Sequence, residues 1–198
     1  GEPAGEDAAI TEPAELVRWR PEIERAVLDA ATEDVATAVI RPGMVYGGSR
    51  GLIGELFRTA EEEGAAAFIG DGSNFWAPVY RGDLARPYRL VAEQRARGVF
   101  HAAEPEPVPV GEIARAASKA AGAEGHVRSI PLDEARERMG PLADALTLDQ
   151  AMACPRSAEL GWSHEHAPFV ESAADVYREW KSGERCDAGA VVRPDTRP

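Results

Sequence analysis

The sequence is short of cysteine, of positive charge and of long apolar runs, and each shortage excludes something. Its two cysteines, Cys154 and Cys186, are too few for a disulfide framework. A reducing, cytoplasmic setting is therefore the expectation. No apolar run reaches the ~20 residues that a membrane-spanning helix needs. The opening GEPAGEDAAITEP is acidic and has no apolar centre, so it does not read as a signal peptide. It also lacks an initiator Met, which points to a cut or partial chain. Against 34 Asp and Glu stand only 22 Lys and Arg, for a net charge of -12. That balance argues against nucleic acid or an anionic membrane surface as a partner, and an acidic, solvated surface accounts for it. There is no P-loop, no Cys-pair zinc motif and no internal repeat. His164 and His166 have no third ligand nearby and read as a surface loop, and His101 reads as a satisfied sheet histidine.

What is present is a globular composition, 44% hydrophobic, in which strand patterns alternate with helix patterns. Residues 1–12 read as a polar loop. EIERAVLDAAT reads as a helix with Ile23, Val27 and Ala30 on one apolar stripe. Val35 to Ile40 reads as a buried strand stopped by Pro42 and Gly43. LIGELFRTAEEEG is an amphipathic helix with Leu52, Leu56 and Phe57 inward. AAAFIGDGSN is a strand and a turn. FWAPVYRGDLARPYRL passes from extended chain into a helix that Asp83 could cap. GVFHAA is a strand, VPVGEIARAASKAAG a strand end and a helix closed by Gly122, and HVRSIPL a strand. Short helices are expected near DEARERMG and PRSAELGW, and APFVESAADVYREWK is the last long one. The class is α/β, with residues 13–182 as the folded unit and 183–198 as a disordered tail.

Four motifs in order carry a resemblance: AVIRPGMVYG (38–47), FIGDGSNFWAPVYRGDLA (68–85), GVFHAAEPEPVPVGEIARAASKAAG (98–122) and SAELGW (157–162). Together they resemble the extended short-chain dehydrogenase/reductase family, the NAD-dependent epimerase/dehydratase group, over its C-terminal half. The resemblance implies the C-terminal part of a Rossmann-like parallel sheet with the smaller substrate-binding region, and NAD or NADP as cofactor of the whole protein. It implies that Pro42, Gly43, Met44 and Val45 line the nicotinamide end of the cofactor, a Pro–Gly turn leaving backbone groups free to meet a carboxamide. Where the family usually reads His-Val-Asp-Asp, this chain has Tyr80, Arg81, Gly82 and Asp83, and only Asp83 matches. The family's Gly-rich nucleotide loop after a first strand is not found, its place lying upstream of Gly1. The family's catalytic Tyr and Lys align with Leu16 and Arg20. Leucine has no proton to give. Arginine reaches a ribose hydroxyl or phosphate but is no base, and Pro21 breaks the shared helix face. Tyr46, Tyr80 and Arg41 are polar groups near the expected cleft, and Tyr46, Phe75, Trp76 and Tyr80 are the candidate substrate contacts. The aromatic pair suits a sugar ring or a flat apolar ligand, or fills the core.

A second Tyr-x-x-x-Lys occurs in YREWK, at Tyr177 and Lys181. Tyr177 and Trp180 continue a stripe with Phe169, Val170 and Ala173, so the spacing marks a packed helix face rather than a catalytic pair. The expected function is an NAD(P)-dependent oxidoreductase, epimerase or dehydratase-like protein acting on a small molecule. The alternatives are a non-catalytic binding or sensor protein and an inactive truncated product. The chain alone is expected to bind NAD(H) or NADP(H) weakly or not at all, and, with an unpaired edge and uncovered apolar surface near Val35–Ile40, to self-associate or to be only marginally folded.

Overall fold

The structure, a computed structural model, describes residues 2–189. A 3₁₀ turn at Glu15–Val17 leads into α1 (Arg20–Asp29), then β1 (Ala38–Pro42) and β2 (Met44–Tyr46). They are followed by α2 (Leu52–Glu63), β3 (Ala66–Ile69), β4 (Phe75–Trp76), β5 (Pro78–Tyr80), α3 (Arg81–Gln94) and β6 (Gly98–Ala102). The chain closes with β7 (Val108–Pro109), α4 (Val110–Ala120), β8 (Val127–Ile130), α5 (Leu132–Met139), α6 (Pro141–Leu146), α7 (Pro155–Glu159) and α8 (Phe169–Gly189). Three strand pairs are parallel: β1 with β6, β2 with β5, and β3 with β8. The short pair β4 and β7 is antiparallel. Parallel pairs joined through helices are the α/β arrangement expected.

One residue makes the crossing from β1 to β2 work. β1 runs beside β6, and Gly43 then carries the chain across to β5. The Gly43 N–H donates to the Ala102 carbonyl at 2.9 Å and the Met44 N–H to the Ala77 carbonyl at 2.7 Å. A Cβ on residue 43 would lie 2.0 Å from the Ala77 oxygen, so only glycine fits there.

The main core sits where α2, α4 and α8 meet β3. Ile53, Leu56 and Phe57 from α2 pack with Ile113 and Ala117 of α4 and with Phe169, Val176 and Trp180 of α8. Small residues bring the helices close: a Cβ on Gly54 would meet the Trp180 indole at 2.9 Å. α2 ends in left-handed Gly64, which stops the helix before β3.

Several expectations are corrected. Ile23 (52% exposed) and Val27 (39%) face solvent, Ala30 is exposed too, and Glu24 is the buried residue of α1. Its carboxylate bridges Arg20 and Arg41, at 2.9 Å and 2.6 Å. That ion pair turns the charged side of the helix to β1 and the apolar stripe outward. β1 begins at Ala38, because its partner β6 begins at Gly98, and all five of its residues are half-buried, leaving Val35 exposed. Asp83 does not cap α3, whose N-cap is Tyr80, three residues before the expected cap. α6 was not expected. α8 runs on to Gly189, while 190–198, the rest of the expected tail, lie outside the described residues.

Candidate functional site

A cavity of about 380 Å³ lies between α2, β3 and the α5–α6 hairpin. Its walls are apolar, built chiefly of Leu56, Phe68, Trp76, Ile130, Leu142 and Leu146. The size is that of a small-molecule site. Trp76 is fixed in the wall because its indole N–H donates to the Leu146 carbonyl at 3.2 Å, an oxygen that the Asn74 amide also meets at 3.0 Å. The two polar side chains at the rim are satisfied. Thr59 donates to the Glu55 carbonyl and accepts the Ala67 N–H at 3.0 Å. The Glu55 carboxylate is paired with Arg58, which holds its pKa below the usual glutamate value.

The candidate substrate residues part company here. Trp76 is in the cavity wall, but Phe75 points the other way, beside a shallow hollow lined by Asp71, Asn74, Thr147 and Asp149. Tyr46 and Tyr80 belong to a separate buried cluster at the start of α8. The Tyr46 hydroxyl donates to Glu104 Oε1 at 2.7 Å, and the same oxygen accepts the Phe169 N–H at 3.0 Å. Burial raises both the Tyr46 and the Glu104 pKa, and their mutual contact raises the phenol further. Both groups thus hold their protons more tightly than usual. The His166 ring stacks on Tyr80 with centroids 3.9 Å apart, its Nδ1 3.4 Å from the Tyr46 oxygen. His166 is half-buried and packed, not the plain surface-loop residue expected. Asp83 fixes the same segment by accepting the Glu165 N–H at 3.1 Å and the His166 N–H at 3.0 Å. Tyr80 in turn donates to Glu179 at 3.2 Å. The cluster anchors the entry to α8, and neither phenol is presented as an acid to the cavity.

Two of the residues matched to the nicotinamide end have their backbone donors engaged within the fold. The Gly43 and Met44 N–H groups are engaged by Ala102 and Ala77, so the expected free donors are not free. The Met44 side chain packs on the core, which leaves half-buried Pro42 and exposed Val45 as an apolar shelf. Arg20 is paired with Glu24, and Arg41 with the same carboxylate. Leu16 is exposed in the 3₁₀ turn, a different element from Arg20, so the two share no helix face. A dinucleotide held by these residues alone would lack a partner for its pyrophosphate.

His101 is a satisfied sheet histidine: buried, with Nδ1 3.0 Å from the Ala153 carbonyl, and burial lowers its pKa. Among the described residues no cluster of three metal-ligating side chains occurs. Burial pushes the Cys154 thiol up to about 11, so it is no nucleophile at neutral pH. Tyr177 and Lys181 both reach Glu61 on α2, the lysine at 2.9 Å, and the Tyr177 ring lies edge-on to Phe57 with centroids 5.4 Å apart. Trp180 is 3% exposed. YREWK is a packed face, as its stripe implied.

Glu55 and Glu104 were missed in the sequence, and His166 was read only as a surface-loop residue. Missed too was a G-x-x-G-x-x-G spacing at Gly48, Gly51 and Gly54, between β2 and α2. Packing explains two of its glycines: a Cβ on Gly48 would meet Arg81 at 2.9 Å, and Gly54 lies against Trp180. Gly51 lines the cavity mouth, so the glycines were a legible pointer to the site.

No family model matches the chain. It is similar to an uncharacterised protein of Schizosaccharomyces pombe, at 31% identity over 159 residues, which is 78% of this chain and 53% of that protein. It is also similar to an uncharacterised protein of Saccharomyces cerevisiae, at 30% over 178 residues, 88% of this chain and 58% of that one. The chain thus spans little more than half the length of these relatives. Among solved structures, a human epimerase family protein with NADPH superposes with a TM-score of 0.76 at 18% identity, over 88% of this chain and 59% of that one. dTDP-glucose 4,6-dehydratase from Bacillus anthracis, in complex with NAD, gives 0.75 at 12% identity, over 93% and 58%. The fold is that of the Rossmann-like epimerases and dehydratases. Among the described residues no helix is long and apolar enough to cross a membrane.

Proposed function

We propose that this chain is the substrate-side part of an NAD(P)-dependent oxidoreductase, epimerase or dehydratase-like protein that acts on a small molecule such as a sugar or a flat apolar compound. The observation that carries the reading is the preformed cavity walled by Trp76 and Phe68, set into a fold shared with nicotinamide-binding proteins. The grip on the dinucleotide then belongs to a part of the parent protein outside this chain, in keeping with the length of the relatives. Its partners are a small-molecule substrate and, for this chain by itself, a second copy meeting an open strand edge, since each described strand has a single neighbour. Nucleic acid and anionic membranes are not partners of a chain carrying -12 net charges.

A second reading is favoured by one observation. Leu16 stands at the family's Tyr position and Arg20 at its Lys position, with Arg20 tied to Glu24. On that reading the protein binds cofactor or ligand without turnover. Expression of the parent from its upstream reading frame separates the two. Net consumption of NADH or NADPH with a carbonyl substrate, read by nicotinamide absorbance, or redox-neutral conversion of a sugar with the cofactor regenerated, read by product analysis, is the expected result. Binding of NAD(P)H with no turnover on sugar or apolar carbonyl compounds overturns the enzyme in favour of the binding protein.

A further inference from the structure

We infer that the cavity between α2 and the α5–α6 hairpin takes a flat, uncharged, largely apolar molecule and rejects nucleoside diphosphates. The inference rests on the proposed function, whose substrate class it names.

Charge is the first argument. No Lys, Arg or His lines the cavity, and its one ionised group is the Glu55 carboxylate. A diphosphate entering there would bring several negative charges to a wall with no cation to meet them. The N-terminus of α2 offers a partial positive charge, about half a unit. Glu55, in the first turn of that helix, already answers it with a full negative charge. Arg58 does not restore the balance, because Glu55 and Glu62 hold its guanidinium on the solvent side. The glycines at 48–54 resemble a phosphate loop in spacing, yet Gly48 makes room for Arg81, which is paired with Glu179, and Gly54 makes room for Trp180.

Hydrogen bonding is the second. Thr59 is satisfied within the protein, and the Trp76 N–H is taken by Leu146. Among the described residues the one buried side-chain polar atom without a partner is Glu6 Oε2, which does not line this cavity. No buried group therefore calls for a polar ligand, and a polar ligand would be desolvated without compensation. Shape is the third. Phe68 and Trp76 supply aromatic surface in about 380 Å³, room for a bicyclic or small tricyclic molecule.

The test titrates the full chain with N-phenyl-1-naphthylamine, a flat neutral fluorophore, and then competes with uridine diphosphate. Saturable binding of one probe per chain, unmoved by millimolar uridine diphosphate, is expected. Ala67→Phe and Leu142→Phe fill the cavity from opposite walls, and each should weaken the probe at least about tenfold while keeping a cooperative melt. If one variant fails to fold, the other decides. Displacement by uridine diphosphate overturns the proposal, as does non-saturable binding or binding that a folded filling variant leaves unchanged. Probe binding by a chain whose parent turns over no nicotinamide removes the enzyme and leaves the pocket. Turnover of a nucleotide sugar removes this ligand class and leaves the enzyme.

Discussion

Adding one methyl group at Gly43 separates a structural role from a cofactor role for the Pro–Gly loop. The new Cβ would sit 2.0 Å from the Ala77 oxygen and 3.1 Å from its carbonyl carbon, both backbone atoms that cannot swing aside. Relief requires β1–β2 and the Ala77 peptide to part by more than an ångström. That breaks the 2.7 Å bond from the Met44 N–H and strains the 2.9 Å bond from the Gly43 N–H to Ala102. Overpacking costs about 1–3 kcal/mol, and a backbone pair left unsatisfied in the interior about 1–3 kcal/mol more. Gly43→Ala should therefore destabilise the protein by roughly 3–5 kcal/mol, since the two effects partly relax each other. For a chain of this length that lowers Tm by about 6–20 °C. Thermal and urea melts of the full chain measure it. A Gly43→Ala protein that melts like the parent sequence, yet loses NAD(P)H affinity in the longer protein, would show that the glycine serves the cofactor and that this reasoning is wrong.

The YREWK face makes an ordered set of costs. Tyr177→Phe should lose about 1 kcal/mol with its bond to Glu61. Lys181→Met, at a partly exposed ion pair, should lose at most about 1 kcal/mol. Trp180→Ala should lose roughly 3–5 kcal/mol. A stable but inactive Tyr177→Phe parent protein would reinstate the pair as catalytic. The pH dependence of stability tests the Tyr46–Glu104 cluster. Burial raises the Glu104 pKa above its ordinary 4.5 in the folded state. Between the two values the folded chain holds more protons than the unfolded one, so its contribution is complete at lower pH and fades as pH rises through the raised value. Glu104→Gln keeps an acceptor for Tyr46 and Phe169 and should flatten that decline in urea melts from about pH 4 to about pH 8. An unchanged slope would show that Glu104 is not the group responsible.

Elements with a strong local period were legible. Leu56 and Phe57 on α2 and the Phe169–Trp180 stripe on α8 sit where their spacing placed them, because each helix packs its apolar face on the same core. α1 shows the limit of that rule. Its period identifies an apolar side but not what covers it, and Glu24 instead draws the charged side inward through Arg20 and Arg41. Asp83 reads as a cap from its neighbours, yet its partners are the N–H groups of Glu165 and His166, 82 and 83 residues away. Glu104, in the loop-like EPEP, is buried by Tyr46, 58 residues before it. No local pattern encodes such pairings.

The same distinction bears on function. Pro42 to Val45 were nominated by resemblance along the chain, and a resemblance carries over residue identity without carrying over which hydrogen bonds are free. Here Ala102 and Ala77 take the donors, while Gly51, Leu52 and Glu55, none of them among the residues the resemblance picked out, open onto the cavity. Binding specificity depends on the groups left accessible once the fold has satisfied its own. By that criterion the Trp76 cavity is the place we propose for this chain's chemical contribution, and a dinucleotide bound by the proposed longer protein would find its charge partners elsewhere.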